Sequence, residues 1–171
     1  MTPVEETMRA LDDLTRQEMV RYVGVSNWQA WKIMKAQGVA AYNSGARFET
    51  LQAYYSIAGR DLEREIVPLL DDQKIGLMVW SPLAGGRLFD KGNEAAVRLA
   101  AAAAGMSAKY NQATLEQLAY AWILAHPSRP LPVIGTNKIE RIESAAKSAN
   151  ITLDREDWYA LWVAAHGHNI P

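Results

Sequence analysis

The chain has 171 residues, of which 49% are hydrophobic and 22% charged, so it suits a single domain (residues 1–171) with a sizeable buried core. A formal net charge of −1 argues against nucleic acid or an anionic membrane as the main partner. The absence of cysteine excludes disulfides and thiolate chemistry, and the first residues show neither a basic segment nor an apolar leader. We therefore expect a soluble, cytoplasmic protein.

The first half of the chain alternates between helix and strand patterns. Helices are predicted at residues 2–19, 28–37 and 61–72, and strands at residues 21–26, 48–53 and 76–81. Thr2 and Glu5 form a capping-box pattern at the first helix. Gly38 is expected to end the second helix, and Pro68 is expected to kink the third.

The second half has one more strand pattern and four more helix patterns. The strand covers residues 132–134, and the helices cover residues 94–105, 114–125, 138–149 and 154–165. The alanine-rich helix at 94–105 offers few side chains that could anchor it in a core. Thr114 with Gln117 predicts a capping box, and Asn137 with Glu140 predicts another.

Alternating helices and strands predict a parallel sheet of α/β type with right-handed crossovers. Four strands do not close a (β/α)₈ barrel, which needs eight strands and about 250 residues. The sheet is therefore either an open α/β sheet or part of a barrel.

Ligands of parallel α/β folds bind beyond the carboxyl ends of the strands, and here those ends are polar, aromatic and almost uncharged. They offer hydrogen bonds for a carboxamide and an indole for stacking, but no general base. Gly85 and Gly86 directly follow a strand, so they form either a phosphate-binding turn or an ordinary one. Lys138 and Arg141 begin a helix, where they either bind an anion or are solvated surface charges.

No catalytic or metal-binding motif is apparent. The three histidines stand at a helix end and in the C-terminal tail: His126, His166 and His168. We therefore expect neither a metal site nor a catalytic triad.

Four motifs carry a resemblance to the aldo-keto reductases: VRYVGVSNW (20–28), LQAYYS (51–56), VWSPLAGGRL (79–88) and PLPVIGTNKIERIE (130–143). They occur in family order and span nearly the whole chain. The family fold is a (β/α)₈ barrel that binds NADPH and reduces aldehydes and ketones. The resemblance thus implies a parallel four-stranded half of a TIM barrel, namely strands five to eight, with NADP(H) as cofactor and a small carbonyl substrate in the intact barrel.

The resemblance also implies roles for particular residues. Contacts to the nicotinamide carboxamide are implied for Ser26, Asn27 and Gln52. Stacking on the nicotinamide ring is implied for Trp80. Pyrophosphate contacts are implied for Ser81, Leu83 and the backbone of Gly85 and Gly86. Contacts to the 2′-phosphate are implied for Thr136, Lys138 and Arg141. Ser144 and Ala145 stand where relatives often carry a Glu-Asn pair that recognises adenine.

The chain departs from the family in its catalytic residues. Relatives carry a catalytic Asp, Tyr, Lys and His on the first four strands, and these have no counterpart here. None of the seven tyrosines stands in the catalytic motif: Tyr22, Tyr42, Tyr54, Tyr55, Tyr110, Tyr120 and Tyr159. We therefore expect no carbonyl reduction by this chain alone. The alternatives are a non-catalytic nicotinamide-binding or assembly module, or a truncated or engineered half barrel without ligand.

A half barrel would leave two strand edges open, at residues 21–26 and 132–134. The inward faces expected to be half uncovered are those of Val23, Val25, Leu51, Met78, Val79, Val133 and Ile134. A symmetric homodimer through these edges is the simplest closure, and a covering helix is the alternative.

Overall fold

The structure, a computed structural model, describes residues 2–169. Helices and strands alternate throughout this part of the chain. The strands are β1 (Val23–Ser26), β2 (Phe48–Tyr54), β3 (Gly76–Trp80) and β4 (Leu131–Pro132). The α-helices are α1 (Val4–Arg16), α2 (Ala30–Asn43), α3 (Ile66–Gln73), α4 (Glu94–Met106), α5 (Leu115–Leu124), α6 (Ile139–Lys147) and α7 (Arg155–His166).

The four strands form one parallel sheet in the order β1-β2-β3-β4. β1 runs parallel to β2, with Val25 opposite Leu51 and Ser26 opposite Gln52. This close pairing needs a glycine at position 24, because a Cβ there would lie 2.9 Å from the carbonyl oxygen of Thr50. The predicted α/β class with a parallel four-stranded sheet is confirmed.

Two compact units make up the chain. Unit 1 comprises Met1–Ala53 and Leu62–Met78, and unit 2 comprises Tyr54–Asp61 and Val79–Pro171. The expectation of a single domain over residues 1–171 stays a prediction.

The core of unit 1 is built around the face of β1 and β2 that α1 and α2 cover. Its buried members are Val4, Met8, Val23, Ala36, Ala40 and Phe48. Trp28 packs edge-on against Phe48, with ring centroids 5.6 Å apart. The buried amide of Gln37 donates to the Phe48 carbonyl (3.2 Å) and accepts from the Phe48 N–H (3.0 Å), so both backbone groups at the start of β2 are satisfied.

The core of unit 2 is built around α5, which is buried over most of its length, from Leu118 to Ile123. Trp122 of α5 stacks on Trp158 of α7 with ring centroids 4.6 Å apart and planes 11° apart. Each indole N–H donates to the backbone carbonyl of the other residue, at 3.1 and 3.0 Å. The guanidinium of Arg60 lies within 6 Å of three tryptophan rings, 4.9 Å from that of Trp162.

Several predicted helix boundaries are wrong. α1 has Pro3 at its N-cap and no side-chain cap, so the Thr2 capping box does not form. α2 continues through Gly38, where a Cβ would meet nothing within 4 Å, and ends at Ser44 in the left-handed conformation. Since Gln37 and Ala40 on either side are buried, packing of α2 outweighs the roughly 1 kcal/mol cost of a helical glycine.

Two further predictions for the helices are wrong. Residues 61–72 form a short 3₁₀ helix, Asp61–Glu63, followed by α3, whose third residue is Pro68. A proline in the first turn removes an N–H that has no intrahelical partner anyway, so no kink follows. The alanine-rich helix α4 is anchored after all, because Leu99, Ala103 and Met106 are buried and α4 packs against α7.

The expected exposure of the strand faces is partly wrong. Val23, Leu51 and Val79 are only 8%, 0% and 0% exposed, so they are buried and not half uncovered. Val133 and Ile134 are 36% and 37% exposed, which agrees with the expectation. The homodimer stays a prediction.

Candidate functional site

A cavity of about 810 Å³ opens in unit 2 beyond the ends of β3 and β4. Its walls come from the segment after β3, from α5, and from the segment that joins β4 to α6. Six of the predicted cofactor contacts line it: Ser81, Leu83, Gly85, Gly86, Thr136 and Arg141. This volume lies in the range of small-molecule sites, about 300–1,000 Å³.

The glycine turn forms one wall of the cavity. Gly85 and Gly86 have φ angles of 64° and 88°, and a Cβ at either position would meet nothing within 4 Å. Since glycine adopts positive φ at little cost, this backbone lies open to the cavity without strain. The Gly86 N–H donates to the Leu83 carbonyl at 3.0 Å, so Gly86 contributes space and Gly85 is the better candidate to donate to an anion.

The segment between β4 and α6, together with Arg141 of α6, forms another wall. The N-cap is Lys138, not Asn137, and no side chain caps the helix. The Thr136 hydroxyl accepts from the Lys138 N–H at 3.2 Å. The Arg141 side chain lines the cavity, and within the described residues it makes neither an ion pair nor a side-chain hydrogen bond. An uncapped helix start beside an unpaired guanidinium favours an anion.

The α5 wall contributes two residues that the sequence analysis missed, Glu116 and Tyr120. Among the described lining residues, Glu116 is the only anion and Arg141 the only cation. Burial raises the pKa of the Tyr120 hydroxyl, and the charge of Glu116 raises it further. The available signal was their spacing, because residues i and i+4 share one face of a helix.

A second polar cluster lies in unit 1, at the carboxyl ends of β1 and β2. Asn27 follows β1 in the left-handed conformation, with φ 56°. Its backbone N–H donates to the Gln52 carbonyl at 3.0 Å, and its side-chain amide donates to the Ser26 hydroxyl at 2.9 Å. The structure thus brings together Ser26, Asn27 and Gln52, the three predicted carboxamide contacts.

Trp80 and Lys138 are the two predicted contacts in unit 2 that do not line the cavity. Trp80 ends β3, is 38% exposed, and lies with its ring centroid 5.1 Å from that of Tyr54 at an interplanar angle of 48°. The indole is therefore partly exposed at the end of β3.

Metal-ligand clusters and membrane-spanning helices were both looked for among the described residues. Residues 2–169 contain no group of three or more His, Asp or Glu side chains that could hold a metal ion. In the same range, every helix is too short or too polar to cross a bilayer.

Comparison with known families gives one match over most of the chain. The model of the Aldo/keto reductase family matches residues 1–163.

Individual relatives agree with this match. The 6-dehydroglucose reductase of Agrobacterium fabrum is 34% identical over 170 residues, which cover 97% of this chain and 54% of that protein. The versiconal hemiacetal acetate reductase of Aspergillus parasiticus is 32% identical over 177 residues, covering 91% of this chain and 51% of the relative. The chain therefore spans about half the length of the curated relatives it matches.

A solved structure has a similar fold. The crystal structure of the thermostable aldo-keto reductase Tm1743, in complex with the inhibitor epalrestat, superposes with a TM-score of 0.79 at 25% identity. The match covers 95% of this chain and 55% of that one.

Proposed function

Because the chain belongs to the aldo/keto reductase family, we propose that it is the NADP(H)-binding portion of an oxidoreductase that reduces aldehydes or ketones. One observation carries the proposal: the unpaired Arg141 guanidinium of the uncapped helix α6, the Thr136 hydroxyl before that helix and the open glycine turn line one cavity. These groups are donors and cations, which is what a dinucleotide with three phosphates requires.

The 2′-phosphate is assigned to the α6 wall. Arg141 supplies a planar fork of N–H donors, and the first turn of the nine-residue α6 adds backbone N–H groups and the positive end of its dipole. The Thr136 hydroxyl supplies a further donor from the cavity lining. The contact of the Lys138 ammonium stays a prediction from the family resemblance. NAD(H) lacks the phosphate that these groups would bind, so the arrangement favours NADP(H).

The pyrophosphate is assigned to the turn after β3. Ser81 offers a hydroxyl, Gly85 an open backbone, and Leu83 and Gly86 shape the wall. When bound, NADP(H) supplies the hydride for carbonyl reduction, and the residues described here bind and orient it. The roles of Ser26, Asn27, Gln52 and Trp80 stay predictions from the family resemblance.

Cofactor preference tests the proposal. Calorimetric titration of the chain should give a Kd for NADP⁺ at least tenfold below that for NAD⁺. A hydrogen bond to a charged group contributes about 1.5–3 kcal/mol, so Arg141→Ala should weaken NADP⁺ roughly ten- to a hundredfold and leave NAD⁺ almost unchanged.

Arg155→Ala is the matched control, because Arg155 packs on the Tyr159 ring (5.6 Å) and does not line the cavity. It should bind NADP⁺ like the unchanged chain. Equal affinity of the unchanged chain for NAD⁺ and NADP⁺, or equal behaviour of the two variants, would overturn the 2′-phosphate assignment.

Catalysis is the second part of the proposal: this chain alone does not reduce carbonyls. The support is that none of its tyrosines stands in the family's catalytic motif. General acid–base catalysis typically contributes about 10²–10⁴-fold, and positioning of the carbonyl contributes more. Purified chain with NADPH and 4-nitrobenzaldehyde should show no oxidation above a mock purification. Steady turnover that disappears on Trp80→Ala would refute this part.

A further inference from the structure

Helix α2 has a second apolar face, opposite the one that it buries in the core of unit 1. On the core side, Ile33, Ala36 and Ala40 are at most 4% exposed. The residues of the outer side are uncharged and follow the spacing of one helix face; we call them the α2 stripe: Trp31, Met34, Gly38, Ala41 and Tyr42. Its three large side chains are, in chain order, 64%, 40% and 89% exposed. A helix that is apolar on both sides is normally covered on both.

Gly38 stands in the middle of the stripe, although the fold of unit 1 does not require a glycine there. It lies inside α2, and a Cβ at this position would meet nothing within 4 Å. Glycine is among the poorest helix formers, so it weakens α2 without making room for any neighbour in its own chain. What a glycine on an exposed helix face does allow is the close approach of another backbone. Gly38 therefore indicates that a second helix crosses α2 at this point.

Polar and charged groups beside the stripe already have partners in their own chain. The indole N–H of Trp31 donates to the side-chain oxygen of Gln29 at 2.7 Å. Lys35, which follows Met34 in the chain, is paired with Glu5 of α1 at 2.8 Å. The ring of Trp31 and the thioether of Met34 can therefore be covered without leaving these groups unsatisfied.

The charges of α2 favour a second copy of the same helix in antiparallel orientation. Both lysines, Lys32 and Lys35, stand in the N-terminal half of α2, and residues 37–43 are uncharged. Antiparallel pairing places each lysine-bearing half beside the uncharged half of the other copy, whose carbonyl end favours cations. Parallel pairing would instead bring all four lysines to the same end.

The spacing of the stripe also suits an antiparallel pair. Met34 and Tyr42 each lie four residues from Gly38, so a two-fold axis at Gly38 sets Met34 of one copy against Tyr42 of the other. A methionine sulfur against an aromatic ring is a favourable contact. Aromatic side chains bury about 150–250 Å² each, so Trp31 and Tyr42 of both copies, with the methionines, cover on the order of 1,000 Å². That area is at the lower end for a specific interface.

We propose that the α2 stripe is a self-association surface, on which a second copy of this chain docks its own α2 antiparallel about a two-fold axis at Gly38. The modest area indicates a dimer that dissociates in the micromolar range. The proposal depends neither on the cofactor assignments in unit 2 nor on the open strand edges.

Gly38→Glu is the diagnostic variant, because it should move stability and association in opposite directions. Glutamate is a better helix former than glycine, and its side chain would enter open space, so the variant should unfold at a temperature about 2–4 °C higher. At the two-fold axis the same substitution sets two carboxylates against each other. Sedimentation velocity should therefore find a monomer at concentrations at which the unchanged chain is a dimer.

A second pair of variants removes one exposed tyrosine at a time. Tyr42→Ser should raise the dissociation constant of the dimer at least tenfold, because Tyr42 supplies a large part of the apolar area of the stripe. Tyr22→Ser is the matched control, since Tyr22 is 77% exposed in the same unit but precedes β1, outside the stripe. It should dimerise like the unchanged chain.

Three results would overturn the proposal. The first is a monomer throughout the micromolar range. The second is a dimer that a stable Gly38→Glu variant leaves intact, which would point to the strand edges at residues 21–26 and 132–134 instead. If Gly38→Glu loses thermal stability, Gly38 serves the fold and Tyr42→Ser decides alone: a weakened dimer supports the proposal, and the third contrary result is an unchanged one.

Discussion

Helices α5 and α6 line the same cavity, but they begin in opposite ways. At α5, the Thr114 hydroxyl accepts from the Gln117 N–H (3.2 Å) and the Gln117 side chain accepts from the Thr114 N–H (3.0 Å). At α6, Lys138 occupies the N-cap and no side chain caps the first turn. Both starts carry a capping-box pattern in the sequence, and only one of them forms the box.

The two helices also differ in burial. Six consecutive residues of α5 are buried, whereas Ala145 is the only buried residue of α6. A helix with a capped N-terminus and a buried body presents fixed side chains to a ligand, whereas a helix with an uncapped, exposed N-terminus presents backbone N–H donors. The comparison teaches that two helices lining one cavity can offer different groups to it, depending on how each helix starts and packs.

The largest expected difference between the helices is in core stability. Leu118→Ala removes a side chain of α5 that is 0% exposed and should lower the free energy of unfolding by about 2–5 kcal/mol. Ile142→Ala removes a side chain of α6 that is 43% exposed and should cost no more than about 0.5 kcal/mol. Urea denaturation followed by circular dichroism measures both, and similar losses would remove the contrast.

The next largest difference is expected in how much each N-cap residue contributes to stability. Thr114→Ala breaks a capping box and should cost about 0.5–2 kcal/mol. Asn137→Ala removes the residue that the sequence predicts as a cap but that caps nothing, so it should change stability by less than about 0.5 kcal/mol. A loss at Asn137 as large as that at Thr114 would show that α6 is capped in solution.

Capping the N-terminus of α6 should raise the stability of the chain and weaken its binding of NADP⁺. Lys138→Ser places a good capping residue at the N-cap and should stabilise the chain by about 0.5–1 kcal/mol. The new hydroxyl would accept a hydrogen bond from an N–H of the first turn, and the substitution would also remove the Lys138 ammonium. We therefore expect NADP⁺ to bind several-fold more weakly. Thermal unfolding and calorimetry on the same sample measure both effects. A variant that gains stability without losing affinity would show that the start of α6 does not contact the ligand.

The smallest effect concerns a charged cap at α7. Asp154 caps this helix, and its pKa is lowered by a hydrogen bond from Lys109 and by the Asp157 N–H. Because its pKa is lower in the folded state, its stabilisation is fully present above its ordinary value of 3.8 and is lost as the pH falls through the lowered value. Asp154→Asn should therefore reduce the melting temperature at pH 7 more than at pH 3.

The uncharged cap of α5 is the control for this pH dependence. Thr114→Ala should cost the same at pH 7 and pH 3, apart from the general destabilisation that acid brings to both proteins. An Asp154→Asn effect of equal size at both pH values would contradict the charge contribution.

Local patterns predicted the parts of the fold that local chemistry decides. The Thr114 capping box and β2 depend on residues close together in the chain, and both are as expected. Gly38 misled the prediction of α2, because the buried neighbours Gln37 and Ala40 hold the helix together beyond it. Asn137 misled the prediction of α6, because the chain joins β4 to the helix one residue later than the pattern indicates.

The candidate site also contains some parts that the sequence predicts and others that it does not. The strand ends and the glycine turn could be predicted, since parallel strands place their carboxyl ends at one edge of a sheet. The spacing of Glu116 and Tyr120 places them on one face of α5, but the same spacing is typical of any helix surface, so the sequence did not single them out. Only the placement of α5 against the cavity distinguishes them from solvated or core residues.

The reciprocal pair of Trp122 and Trp158 has a spectroscopic consequence. Two indoles stacked 4.6 Å apart are close enough to couple electronically, so we expect their absorption bands to split and to give paired circular dichroism signals of opposite sign. This signal depends on the docking of α7 against α5 and not on helix content. The chain therefore carries an internal optical reporter of tertiary packing, which would separate local melting of a helix from loss of the unit 2 core without any added label.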